Sequence, residues 1–123
     1  MKNFLVIGAL LVSVSMLTGC PGSSKSDTTG QLYNDTIFGG NNYTAALTIG
    51  GATLTSYSGA WSSKTKLNSC GDNNQTATFV DPGGTTWAWD SLTIACNKHN
   101  LITLGFNSAT GRPRIGIEQG NAK

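Results

Sequence analysis

One histidine, six carboxylates and three cysteines are the main stock of acid–base and metal-binding groups in this 123-residue chain. His99 is the only histidine, and Asn97-Lys98-His99-Asn100 reads as a turn. A Ser-His-Asp relay needs histidine as its base, so His99 would have to serve. No Gly-x-Ser-x-Gly elbow accompanies it. A zinc site wants three or four ligands, which this set does not supply. A glycosidase needs two carboxylates across a cleft, and Asp81 and Asp90 are the pair that a hairpin could bring together. Asp81-Pro82-Gly83-Gly84 has the form of a turn, however, where aspartate bonds its own backbone. Asp72-Asn73-Asn74 lacks the spacing of a calcium-binding loop. The expectation is a protein that is not an enzyme, with no cofactor and no metal.

The aromatic residues are the other candidates. Trp61, Trp87 and Trp89, with Tyr33, Tyr43 and Tyr57, could stack on sugars or anchor a protein interface. Ordinary core packing is the expectation for most of them. Trp87 and Trp89 share one parity, whereas Leu92, Ile94 and Cys96 share the other. An unbroken strand would put the two apolar sets on opposite faces. A β-bulge near Asp90-Ser91 would restore them to one face. Without it, the tryptophan pair faces solvent as a binding surface.

The amino terminus carries a different kind of information. Met1-Lys2-Asn3 places one charge before Phe4 to Leu17, an uncharged apolar run. A spanning helix needs about 20 such residues, and a shorter run behind a positive charge fits a signal peptide. Leu17-Thr18-Gly19-Cys20 closes it and resembles the bacterial lipobox. The resemblance implies that Cys20 takes a diacylglycerol on its thiol, that cleavage precedes it, and that the new amine is acylated too. Two or more acyl chains give stable anchoring. Residues 1–19 are then a lipoprotein signal peptide. Residues 20–30, rich in Gly and Ser, form a lipidated cysteine and flexible tether. Pro21 is not the aspartate that signals inner-membrane retention, so the outer membrane is expected. In that oxidising compartment, Cys70 and Cys96 are left to form one disulfide.

These groups need a scaffold, and residues 31–123 read as a single all-β domain. The mature chain is about a hundred residues, enough for one modest core. Gly, Ser, Thr and Asn dominate, which suits strands and turns over helices. Charged residues are 11% and net charge is +2, with no basic stripe for nucleic acid. Candidate strands run over 31–38, 43–49, 52–57, 61–68, 76–80 and 85–96, with two more around Ile102-Leu104-Phe106 and Ile115-Ile117. Gly50-Gly51 between two alternating runs marks a tight hairpin, because a type I′ turn needs positive φ at both centres. Residues 70–74 read as a loop. The expected fold is a small antiparallel β-sandwich or barrel of seven or eight short strands with one disulfide.

Ser58-Gly59-Ala60-Trp61, Cys70, Thr85-Thr86-Trp87 and Cys96 together resemble the small bacterial β-barrel inhibitors of secreted proteases. Those pair a Gly-x-Trp near the start of the barrel with one disulfide. Here some 30 residues of domain precede Gly59, and few follow Cys96. The resemblance therefore implies a class of function and carries over no inhibitory residue. The leading expectation is a lipid-anchored module that binds an envelope or extracellular protein, as an inhibitor in one version. A carbohydrate- or peptidoglycan-binding module and a structural or surface-exclusion lipoprotein are the alternatives.

Overall fold

The computed structural model describes residues 27–123 except 108. The segment expected to be a signal peptide, Cys20 and the first part of the expected tether lie outside the described residues. Eight strands form two four-stranded sheets, and the described residues contain no helix. They are β1 (Thr29–Asp35), β2 (Thr44–Ile49), β3 (Ala52–Tyr57), β4 (Thr65–Lys66), β5 (Gly71–Val80), β6 (Thr86–Ile94), β7 (His99–Asn107) and β8 (Arg112–Gln119). Sheet I has the order β8-β7-β1-β4, and sheet II the order β3-β2-β5-β6. The fold is the expected all-β sandwich, not a closed barrel.

Alternation explains most of it. In β2 the buried residues Ala45, Leu47 and Ile49 alternate with exposed Thr44, Ala46 and Thr48. In β3, Leu54 and Ser56 point inward while Thr53, Thr55 and Tyr57 point out. These inner faces meet Leu32, Leu67, Phe79, Ile94, Ile102 and Leu104 in one core. Burying each large apolar side chain contributes about 1.5–3 kcal/mol against exposure. The hairpin at Gly50-Gly51 forms as expected, with φ of 59° and 74°. Gly39-Gly40, at 58° and 82°, makes a second two-residue turn, closed by paired Phe38 and Asn41 backbones.

The bulge in β6 is present. Ala77 pairs with Trp89 and Gln75 with Leu92, so two β6 residues oppose Thr76 alone. Ser91 takes φ of 57° to make the extra step. Trp87, Trp89, Leu92 and Ile94 all reach the core side as a result.

Several boundaries differ from the sequence reading. The domain begins before Gln31: Thr28 is fully buried and Thr29-Gly30 already belong to β1. Thr28 is held because its carbonyl accepts from Leu67 N and its hydroxyl from Asn97 N. β1 stops at Asp35, so Phe38 is not a strand residue. Of 61–68 only Thr65-Lys66 is strand, and Trp61 makes a lone bridge to Tyr33. Residues 71–74 are strand rather than loop, since β5 continues through its irregular register to pair Gly71 with Ile94. His99 and Asn100 open β7 rather than lie in a turn. One pair departs from the antiparallel expectation: β1 runs parallel to β7, Thr29 opposite His99 through Asp35 opposite Gly105. Parallel partners need a long crossover, which alternation within a strand cannot reveal.

The topology defines two ends. The chain enters β1 at a disulfide pole, with the Gly50-Gly51 hairpin and Cys70–Cys96. Their Cα atoms are 5.3 Å apart. The ends of β1, β3, β5 and β7 and the starts of β2, β6 and β8 lie at the opposite, loop pole.

Candidate functional site

The groups with catalytic potential are occupied structurally. Gln31 is buried and its Nε2 donates to the carbonyls of Ser62 (2.8 Å) and Lys123 (3.3 Å). That orientation turns Oε1 toward the Lys123 amide (2.8 Å) and His99 Nε2 (2.9 Å). His99 therefore carries its proton on Nε2, and Nδ1 accepts from the Thr29 hydroxyl at 2.8 Å. Both ring nitrogens are used, and no carboxylate orients the ring. Burial lowers its pKa below the ordinary 6.5, assisted by the charge of Lys64.

Asp81 does not pair with Asp90. Its Oδ2 accepts from Trp87 Nε1 at 3.0 Å and its Oδ1 from Thr85 N at 2.9 Å. The Trp87 bond, then the Thr85 amide, hold its carboxyl below the ordinary carboxylate value. Asp90 lies five residues beyond Thr85, roughly 15 Å along the strand. Among the described residues, no group of three or more His, Cys, Asp or Glu is placed to hold a metal.

The three tryptophans do not share a surface. Trp87 and Trp89 are half-buried on the inner side of β6, and Arg112 lies 5.9 Å above the Trp87 ring. Trp61 belongs to the other sheet, where it packs on Tyr33 with centroids 5.2 Å apart. Trp87 and Trp89 follow the core-packing expectation, because the bulge turns both inward. Gly59 and Trp61 lie in the β3–β4 connection, not at the start of a barrel.

What the fold does expose is apolar surface at the loop pole. Ile37 is 54% exposed, Val80 58%, Tyr57 52% and Phe38 36%. Ile37 and Phe38 sit in the β1–β2 connection, Tyr57 ends β3 and Val80 ends β5. A Cβ on Gly83 would come within 3.0 Å of the Phe38 ring, so the β5–β6 turn supports that ring. A groove of about 400 Å³ beside them is lined by Asp35, Thr36, Ile37, Asn42, Ser58 and Gly59.

A buried polar network fixes this pole. Asn34 is fully buried and its Nδ2 donates to the Tyr43 and Ser56 carbonyls, both at 3.1 Å. Its Oδ1 accepts from Thr36 N at 3.1 Å. Ser58 Oγ donates to the Thr36 carbonyl at 2.7 Å and accepts from Tyr43 N at 3.0 Å. The loop backbone is thus anchored from below while Ile37 and Phe38 point to solvent. Sequence reasoning placed Phe38 in a strand, counted Tyr57 among the candidate aromatics and passed over Ile37 and Val80. Parity was the available signal: Val80 continues exposed Thr76 and Thr78, and Tyr57 continues exposed Thr53 and Thr55.

No protein-family model, curated protein or solved structure matches this chain.

Proposed function

We propose that this protein is a non-catalytic binding module of the bacterial cell envelope. Cys20 holds it to the membrane, by preference the outer membrane, through acyl chains. The loop pole engages an envelope or extracellular protein, and inhibition of that protein is one form the engagement takes. The observation that carries this reading is the gathering of Ile37, Phe38, Tyr57 and Val80 at one pole. Single exposed apolar residues are ordinary, but several at one rigid pole are what an interface centre needs. The polar network beneath them lowers the ordering cost on binding. The same residues lie away from the disulfide pole, where the chain from Cys20 joins β1.

The test uses the full chain in detergent as bait. An Ile37→Asp/Val80→Asp variant should bind the captured partner at least tenfold more weakly, as expected for interface-centre residues. Equal capture by the variant would remove the loop pole from the reading. Mass spectrometry of the native protein should show a mature chain beginning at acylated Cys20, and Cys20→Ser should abolish acylation. A chain carrying no acyl group would refute the anchor and leave the loop pole untouched.

A further inference from the structure

Gly116 stands in the middle of β8, and nothing in the fold asks for a glycine there. Glycine weakens a strand interior and often marks a bulge, a bend, or the close approach of another backbone or a ligand. The register of β8 with β7 is unbroken from Arg112 to Gln119, so there is no bulge. Gly116 does not take positive φ, and a Cβ placed on it would meet nothing within 4 Å. Ile115 and Ile117 on either side pack against the core, so Gly116 faces outward from sheet I over open space. Of those reasons, a ligand remains.

The surroundings of Gly116 are built like a trough. Gly116 pairs with Thr103, Thr103 with Tyr33, and Tyr33 bridges to Trp61. Three strand spacings make this row about 14 Å long. It runs from the bare shelf at Gly116 to an aromatic wall, the partly exposed Tyr33 and Trp61. The row on one side is Arg114, Gly105, Asp35. A Cβ on Gly105 would lie 3.9 Å from Arg114 Nε and 4.0 Å from Nη2, so the guanidinium lies across that glycine toward Asp35. On the other side the segment after β8 makes a raised bank. Gly120 packs on Leu101, and the Lys123 amide and carbonyl bond the Gln31 side chain at 2.8 and 3.3 Å. Charge is divided between the sheets. Among the described residues, the cations Lys64, Lys66, Lys98, Arg112, Arg114 and Lys123 all lie on or beside the strands of sheet I, with Asp27, Asp35 and Glu118. Sheet II carries Asp72, Asp81 and Asp90 and no cation. Arg112 turns to the Trp87 ring, which leaves Arg114 as the guanidinium of the trough.

We propose that this trough binds an anionic saccharide, a chain of sugar rings bearing carboxylate or phosphate groups. A sugar ring presents an apolar C–H face, which packs on the Tyr33–Trp61 wall, while its hydroxyls stay at the rim. Gly116 and Thr103 keep the floor low enough for a second ring to lie flat. The fork of Arg114 suits a carboxylate or phosphate oxygen pair, and the Asp35 carboxylate accepts from neighbouring hydroxyls. The excess of cations on sheet I favours a charged glycan over a neutral one. Single-stranded nucleic acid also stacks on aromatic rings, but it asks for a groove of cations along its backbone. Here Asp35 sits beside the one guanidinium. The exposed apolar residues of the loop pole take no part in the trough, so the inference does not depend on the proposed protein partner.

Titration of the full chain in detergent tests it, with tetragalacturonate as the carboxylate probe and deacylated lipopolysaccharide core oligosaccharide as the phosphate probe. At least one should bind, and nuclear magnetic resonance should show the largest shifts at the Trp61 indole N–H and the Arg114 Nε–H. The probe that binds names the anionic group. Gly116→Leu fills the shelf without a clash and should raise the dissociation constant at least tenfold, with the near-ultraviolet circular dichroism retained. Arg114→Gln should weaken binding by a similar factor, and so should Trp61→Ala; the first two variants serve if the third folds poorly. Methyl-esterified tetragalacturonate keeps the rings and loses the charge, and should bind at least tenfold more weakly than a bound tetragalacturonate. Binding of neither probe overturns the proposal. So does binding indifferent to both Gly116→Leu and Arg114→Gln, or a thymidine octanucleotide that binds more tightly than either saccharide.

Discussion

Asn100 is fully buried where β7 begins, and its side chain ties three segments together. Nδ2 lies 3.1–3.2 Å from the carbonyls of Thr29, Ala95 and Lys98. Oδ1 accepts from Ala95 N at 2.9 Å. Replacing it with leucine of similar size strips the Ala95 amide of its acceptor and the Thr29 and Ala95 carbonyls of a donor, while the Lys98 carbonyl keeps the Thr29 amide. A buried group left unpaired costs about 1–3 kcal/mol. Asn100→Leu should cost about 3 kcal/mol or more in urea unfolding. A loss under about 1 kcal/mol would mean that water reaches the site and takes over the bonds. His99, one residue earlier, makes a pH-dependent contribution. Burial favours its neutral form in the fold, so the folded state binds a proton less readily than the unfolded chain. The contribution is complete above the ordinary histidine pKa of 6.5 and declines as pH falls from there toward the lower folded value. The midpoint of thermal unfolding should drop between neutral and mildly acidic pH, and His99→Gln should flatten that drop. An unchanged slope in the variant would assign the pH dependence to other groups.

Elements show what each kind of sequence signal was worth. Gly50-Gly51 named both the turn and the register of β2–β3, because a two-residue turn fixes pairing locally. The phase slip between Trp89 and Leu92 located the bulge, since period two has no other way to keep both sets inside. The Cys70–Cys96 bridge was legible from the count of cysteines left after Cys20. β4 was not legible, because Trp61 to Asn68 alternates weakly and only Thr65-Lys66 finds a partner. Nor was the start of β5, where Gly71 to Asn74 has a loop composition yet is carried by pairing with β6. The exposed residues at the loop pole were legible by parity, but only once strand boundaries were known. At this scale the disulfide invites a test. It closes a sequence separation of 26 residues around β5 and β6. The chain-entropy model gives about 3.5 kcal/mol for such a loop. Cys70→Ala/Cys96→Ala should therefore lose roughly 2–4 kcal/mol in chemical denaturation. A loss near zero would indicate that the reduced, unfolded chain is already compact at that loop.

The whole molecule is organised by its first strand. β1 occupies the middle of sheet I, between β4 and β7, and its backbone pairs in parallel with β7 over seven residues. Thr29 finds its partner in His99, far along the chain, and β7 ends only at Asn107. A chain released N-terminus first, from a ribosome or a translocation pore, holds β1 without its parallel neighbour until the last fifth emerges. Sheet II can assemble earlier, since β2, β3, β5 and β6 lie within residues 44–94. Half of the sandwich thus becomes available early, while the other half waits on the carboxyl end. Contacts of such long range are slow to close, so the timing of folding is built into the order of the strands.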